Sequence, residues 1–117
     1  MLVHLVLFRP RPDLAPVQRD QLAATLAAAI QQIPSVRRAH VGRRVTHGRA
    51  YEQAMRTDYT HVAMLEFEDV NGLQAYLEHP AHEQLATRFF ECVEEALMYD
   101  YDVAEGETGI AALTSTS

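Results

Sequence analysis

The chain has 117 residues, nearly half of them apolar, which suits one ordinary domain with a real core and argues against global disorder. A formal net charge of −6 argues against a nucleic-acid partner, because binding phosphates needs a cationic surface. No apolar run approaches the ~20 residues of a membrane helix. Met1-Leu2-Val3-His4 lacks the basic segment of a signal peptide, and the lone Cys92 allows no intrachain disulfide. A soluble cytoplasmic protein without a membrane partner is expected.

Leu2 to Phe8, apolar but for His4, reads as a buried strand closed by Pro10 and Pro12. Pro16 suits the first turn of a helix whose apolar face is Leu22, Leu26, Ala29, Ile30 and Ile33, and Pro34 stops it. Val36 to Thr46 is a second strand. Ala39, Val41 and Val45 lie on one side, Arg38, His40 and Arg44 on the other, with a bulge expected at Gly42. His47 to Asp58 reads as the longest irregular stretch, a lid, an edge-covering loop or simply a flexible one. The third strand, Tyr59 to Phe67, places His61, Ala63, Leu65 and Phe67 on one face and Thr60, Val62, Met64 and Glu66 on the other. Both faces are largely apolar. Helices can cover one; a second copy of the chain is the simplest cover for the other, so a homodimer is expected.

A short helix from Asp69, with Leu73 and Leu77 inward, halts at His79-Pro80, because a residue before proline avoids the helical region. A new helix starts at Pro80 and runs to about Leu97 on a stripe of Leu85, Phe89, Val93 and Leu97, with Cys92 as buried filler. Met98 to Val103 is the fourth strand. Residues 1–103 thus form one domain, and 104–117 are expected to be a flexible tail. The order strand, helix, strand, strand, helix, strand is the ferredoxin-like pattern: an α+β fold with a four-stranded antiparallel sheet and helices on one face.

The densest polar cluster is Tyr76, His79 and His82 around the proline break. His82 falls in the first turn of a helix, where partial positive charge disfavours the imidazolium and leaves a neutral base. Tyr76, just before the bend, can steady an oxygen that gains negative charge. His4 and His61 each interrupt an apolar strand. If both face the helices, three imidazoles and a phenol share one cavity. Their spacing does not resemble a compact metal motif, so neither metal nor cofactor is expected. Each histidine also has a plain structural role open to it: His79 as a helix cap, His4 and His61 as satisfied core groups. Arg37, Arg38, Arg43, Arg44 and Arg49 crowd one stretch, as a solvated face or as an attractor for an anionic small molecule or an acidic partner surface.

His4-Leu5-Val6-Leu7-Phe8, Tyr59-Thr60-His61-Val62, Leu73-Gln74-Ala75-Tyr76-Leu77, His79-Pro80-Ala81-His82 and Tyr99-Asp100-Tyr101 together resemble the stress-responsive A/B barrel (Dabb) family over roughly residues 1–103. The resemblance implies a dimeric α+β barrel, two sheets closing face to face. Members include stress-induced plant proteins and a polyketide cyclase that performs an aldol condensation without a metal. That likeness implies His82 and Tyr76 as catalytic residues, and His4, His61, His79 and Leu26 as substrate-binding ones. The first helix departs from the cyclase, carrying Ala23 and Leu26 where the cyclase has aromatic residues. Two functions remain open: a cofactor-independent acid–base enzyme (cyclase, isomerase or lyase) acting on a small carbonyl compound, or a non-catalytic stress-response or small-ligand-binding dimer.

Overall fold

The computed structural model describes residues 1–114. In chain order the elements are β1 (Leu2–Pro10), α1 (Pro16–Gln32), β2 (Arg38–Arg43), α2 (Ala50–Ala54), β3 (His61–Phe67), α3 (Val70–Glu78), α4 (Pro80–Cys92), β4 (Val93–Asp102) and α5 (Gly106–Ile110), then a 3₁₀ turn, Ala111–Leu113. The four strands make one antiparallel sheet in the order β2-β3-β1-β4, with α1, α3 and α4 on one face. This is the ferredoxin-like α+β fold expected. Among the described residues no helix is long and apolar enough to cross a membrane.

The core lies between sheet and helices, because there the strand alternation meets the apolar helix stripes. Val6 and Phe8 of β1 and Ala63, Leu65 and Phe67 of β3 pack against Ala29, Ile33, Leu73, Tyr76, Ala81 and Leu85. Phe67 is fully buried, so Phe67→Ala should cost about 3–5 kcal/mol of unfolding free energy, measurable by urea denaturation. An unchanged midpoint would mean that this layer is not the core.

The outer sheet face runs in cross-strand rows. His40, Met64, Leu5 and Tyr99 form one, and Gly42, Val62, Leu7 and Leu97 the next. Tyr99 and Tyr101 stay about half exposed there, at 54% and 49%. These two rows are largely apolar, the flanking ones carry Arg38, Glu66, Arg9 and Glu95, and none of α1, α3 and α4 covers the face.

Several boundaries differ from the sequence reading. The last helix ends at Cys92, and Val93 and Leu97 belong to β4, whose pairing with β1 runs from Pro10–Val93 to Leu2–Asp102. A ladder of that length outweighs an apolar periodicity that would allow the helix to continue. β2 is confined to Arg38–Arg43, and Gly42 pairs regularly with Val62; the irregularity in the sheet falls at Arg9/Pro10 instead, where a proline cannot donate to the ladder. Leu77 is 40% exposed, and Tyr76 takes the inward position beside Leu73. Cys92 is buried and free, as expected.

The stretch 47–58 is not wholly irregular. Glu52 caps it back on itself, its carboxylate accepting from the His47 and Gly48 amides at 2.9 and 2.6 Å, and α2 forms there. The segment leans over the outer sheet face, where Met55 and Tyr59 close a hollow of about 610 Å³ against Leu7, Val62 and Leu97. It is therefore no lid over the helix side. The expected flexible tail carries α5 and the 3₁₀ turn; its last residues, 115–117, lie outside the described residues.

Candidate functional site

The proline break builds the site. In one unbroken helix Tyr76 and His82 would point about 120° apart around the axis at 3.6 residues per turn. Pro80 forces His79 into an extended backbone (φ −72°, ψ 141°), the helix restarts, and the two rings meet edge to face at 4.8 Å. His79 itself turns back: its Nδ1 accepts from the Ala81 amide at 3.0 Å and caps α4. It does not line the cavity, so the expectation that it touches substrate gives way to the structural role. The bond to the Ala81 amide holds the ring at the start of α4, away from the side chains that form the cavity wall.

Under the helices lies a cavity of about 430 Å³, its walls almost entirely apolar. His4, His61, Tyr76, His82 and Leu26 all line it, and so does Ala23. Ala23 and Leu26 contribute only aliphatic surface to the α1 side of the wall. His4 comes up from β1 beside Tyr76, ring centroids 6.0 Å apart, and its Nδ1 is 2.6 Å from Asp100 Oδ1 on β4. The pair fixes the ring's orientation and tautomer, with the remaining nitrogen left for a ligand. His61 stands elsewhere. It is the cross-strand partner of Phe8, stacks on it at 5.5 Å, and shares Nδ1 with Thr60 Oγ1 at 2.8 Å. His4 and Phe8 are four residues apart on β1, about 13 Å at ~3.3 Å per residue. The three imidazoles share one cavity, not one point.

Burial sets the protonation states. It pushes the Tyr76 phenol up to about 12, so the hydroxyl keeps its proton and can donate. His82 is held below 6.5, first by burial and then by neighbouring His4, against the opposing pull of the Leu77 backbone and Glu83. The sequence pointed to the helix terminus; desolvation is the larger cause. His61 is also lowered, by burial and then by Arg43 and Arg19. At neutral pH the site therefore pairs a neutral imidazole with a protonated phenol, a base next to a donor.

The same shifts link stability to pH. The folded state lowers the proton affinity of both histidines, so below 6.5 the unfolded chain binds more protons. Stability should be full above 6.5 and fall as pH drops through the folded values. Thermal melts from pH 8 to pH 4.5 should show this, and a His61→Gln/His82→Gln variant should slope less. An equal slope would place the acid sensitivity elsewhere.

Asp100 and Arg19 were missed by sequence reasoning. Asp100 had a legible signal, since it shares strand parity with Ala96 and Met98 and, with Asp102, puts carboxylates on the inward side of β4. Arg19 had one too: it precedes Leu22, Ala23 and Leu26 by three, four and seven residues, so it shares their side of α1. Among the described residues no three His, Cys, Asp or Glu side chains are grouped as metal ligands.

Fold and cavity together define a ferredoxin-like α+β domain with a histidine- and tyrosine-lined apolar pocket under its helices. Residues 2–103 match the stress-responsive A/B barrel domain, and the chain belongs to that family. It is 26% identical over 98 residues to olivetolic acid cyclase of Cannabis sativa, covering 84% of this chain and 92% of the cyclase. Hydroxynitrile lyase from Passiflora edulis shares the fold at a TM-score of 0.75 and 20% identity, covering 90% of this chain and 94% of the lyase. SnoaB, a cofactor-independent oxygenase from Streptomyces nogalater, does so at 0.65 and 16% identity, covering 91% and 95%.

Proposed function

We propose that the chain is a cofactor-independent acid–base enzyme that abstracts a proton next to the carbonyl of a small molecule, with a cyclisation, isomerisation or lyase step as outcome. The observation that carries this is the edge-to-face meeting of a neutral His82 and a protonated Tyr76 at the wall of a largely apolar cavity of about 430 Å³. His82 takes the proton from the α-carbon, and the C–H electron pair moves into an enolate. Tyr76 Oη donates to the oxygen that gains charge. His4, held by Asp100, orients ligand or water. The likeness to a cyclase and the shared fold with a lyase support the reaction class, not a particular substrate.

The working unit in this reading is a cytoplasmic homodimer, two outer sheet faces closing on each other, and the apolar rows of that face support it. The test is solvent deuterium exchange into a panel of methyl ketones in D₂O, followed by proton NMR. Exchange well above a heat-denatured control is expected; none with any ketone would sink the catalytic reading. The almost wholly apolar lining favours the second reading, a dimer that binds a small ligand without turning it over. Saturable ketone binding with no exchange would establish that one instead.

A further inference from the structure

The cavity has a second polar end, and the role argued for it rests on the acid–base reading of the first. At the Phe8 end stands His61. Arg19 of α1 lines the wall there, and Arg43 is the cross-strand partner of His61, so its side chain leaves the same sheet face. Both guanidiniums are near enough to depress His61. Arg9, Arg11, Arg37, Arg44 and Arg88 have acidic partners; among the described residues Arg19, Arg38, Arg43, Arg49 and Arg56 have none, and of these five Arg19 and Arg43 are the two that act on His61. The chain is net acidic, at −6, yet Arg19 lines this apolar hollow and Arg43 leaves the sheet beside His61 at the same end. Between the ends the wall is hydrocarbon, chiefly Val6, Leu22, Leu26 and Ala63.

We propose that Arg19 and Arg43 bind a carboxylate, so that the ligand class is an elongated keto acid with its carbonyl at Tyr76 and His82 and its anionic group at the far end. A guanidinium presents a planar fork that matches a carboxylate with two parallel hydrogen bonds. The ends lie about 13 Å apart along the strand, which selects a medium-length chain and disfavours a compact acid whose carboxylate adjoins its ketone. The Arg-rich second strand then has a role beyond solvation.

The probes are decanoate, the matching neutral alcohol decanol, and a decanoate bearing a methyl ketone at the far end of its chain, titrated calorimetrically. Decanoate should bind wild type roughly tenfold or more tightly than decanol, and Arg19→Gln/Arg43→Gln should lose that margin while binding decanol unchanged. His82→Gln should bind decanoate as wild type does, which separates this site from the proton-transfer site. Equal affinity for acid and alcohol in wild type, or equal losses of both in the double variant, would overturn the carboxylate assignment. Deuterium exchange into a neutral ketone without any preference for decanoate would leave the acid–base reading standing and end this one. Arginine-dependent decanoate binding with no exchange into the keto acid would do the reverse.

Discussion

His82→Gln should slow solvent deuterium exchange into a bound ketone by ~10²–10⁴-fold, the usual contribution of a positioned general base. Glutamine keeps a polar side chain at the cavity wall but has no basic nitrogen to accept the proton. The dimer and the melting temperature should barely move, because His82 is only partly buried and caps nothing; that role belongs to His79. Tyr76→Phe should cost less, ~10²–10³-fold, the size of one lost donor to a developing oxyanion. The two losses should not add, since both groups serve the same enolate. The wild-type rate should rise with pH through a value below 6.5, where His82 loses its proton, and then stay level toward 12, where the phenol ionises. A His82→Gln protein with wild-type exchange, or one that no longer dimerises, would remove the histidine from catalysis.

The second large effect is on assembly. Met64 sits mid-sheet on the outer face, in the row with His40, Leu5 and Tyr99. If two such faces close, Met64→Glu places two unpaired carboxylates in an apolar contact. Leaving a buried charge uncompensated costs about 3–5 kcal/mol, a shift of roughly 10²–10³ or more in the dissociation constant. Sedimentation should find wild type at twice the 13.2 kDa chain mass and Met64→Glu near the single-chain mass at micromolar concentration. The helix-side cavity is framed within one chain, so the variant tests the scaffold separately from the site. Wild type sedimenting as a monomer would leave the apolar outer rows without a cover and end the barrel reading.

Local patterns in the sequence carried much of this. Period-two alternation grouped His61 with Ala63, Leu65 and Phe67; that His61 and His4 both face the helices stood only as a condition, which the register meets, with His4 opposite Leu65 and His61 opposite Phe8. The His79-Pro80 break announced itself because proline restricts its neighbour whatever the fold around it. The two-sided apolarity of β3 is likewise written in the chain. Where two local tendencies competed, sequence alone chose wrongly. Val93 and Leu97 fit a helical stripe as well as a strand, and only the ladder to β1 puts them in β4.

What tertiary structure decided are the relations between segments distant in sequence. His4 meets Asp100 across 96 positions, and no spacing rule links them. His79 faces the amide of Ala81 rather than the cavity, a choice between two local geometries that packing settles. Arg19 flanks the apolar stripe of α1, but only the placement of α1 over the sheet brings it to the end of the cavity where His61 stands. Periodicity and proline act through neighbours on the chain, so a sequence displays them. Cavities, charge pairs and desolvated pKa values come from groups brought together in space, and these do not exist until the sheet and helices have closed on one another.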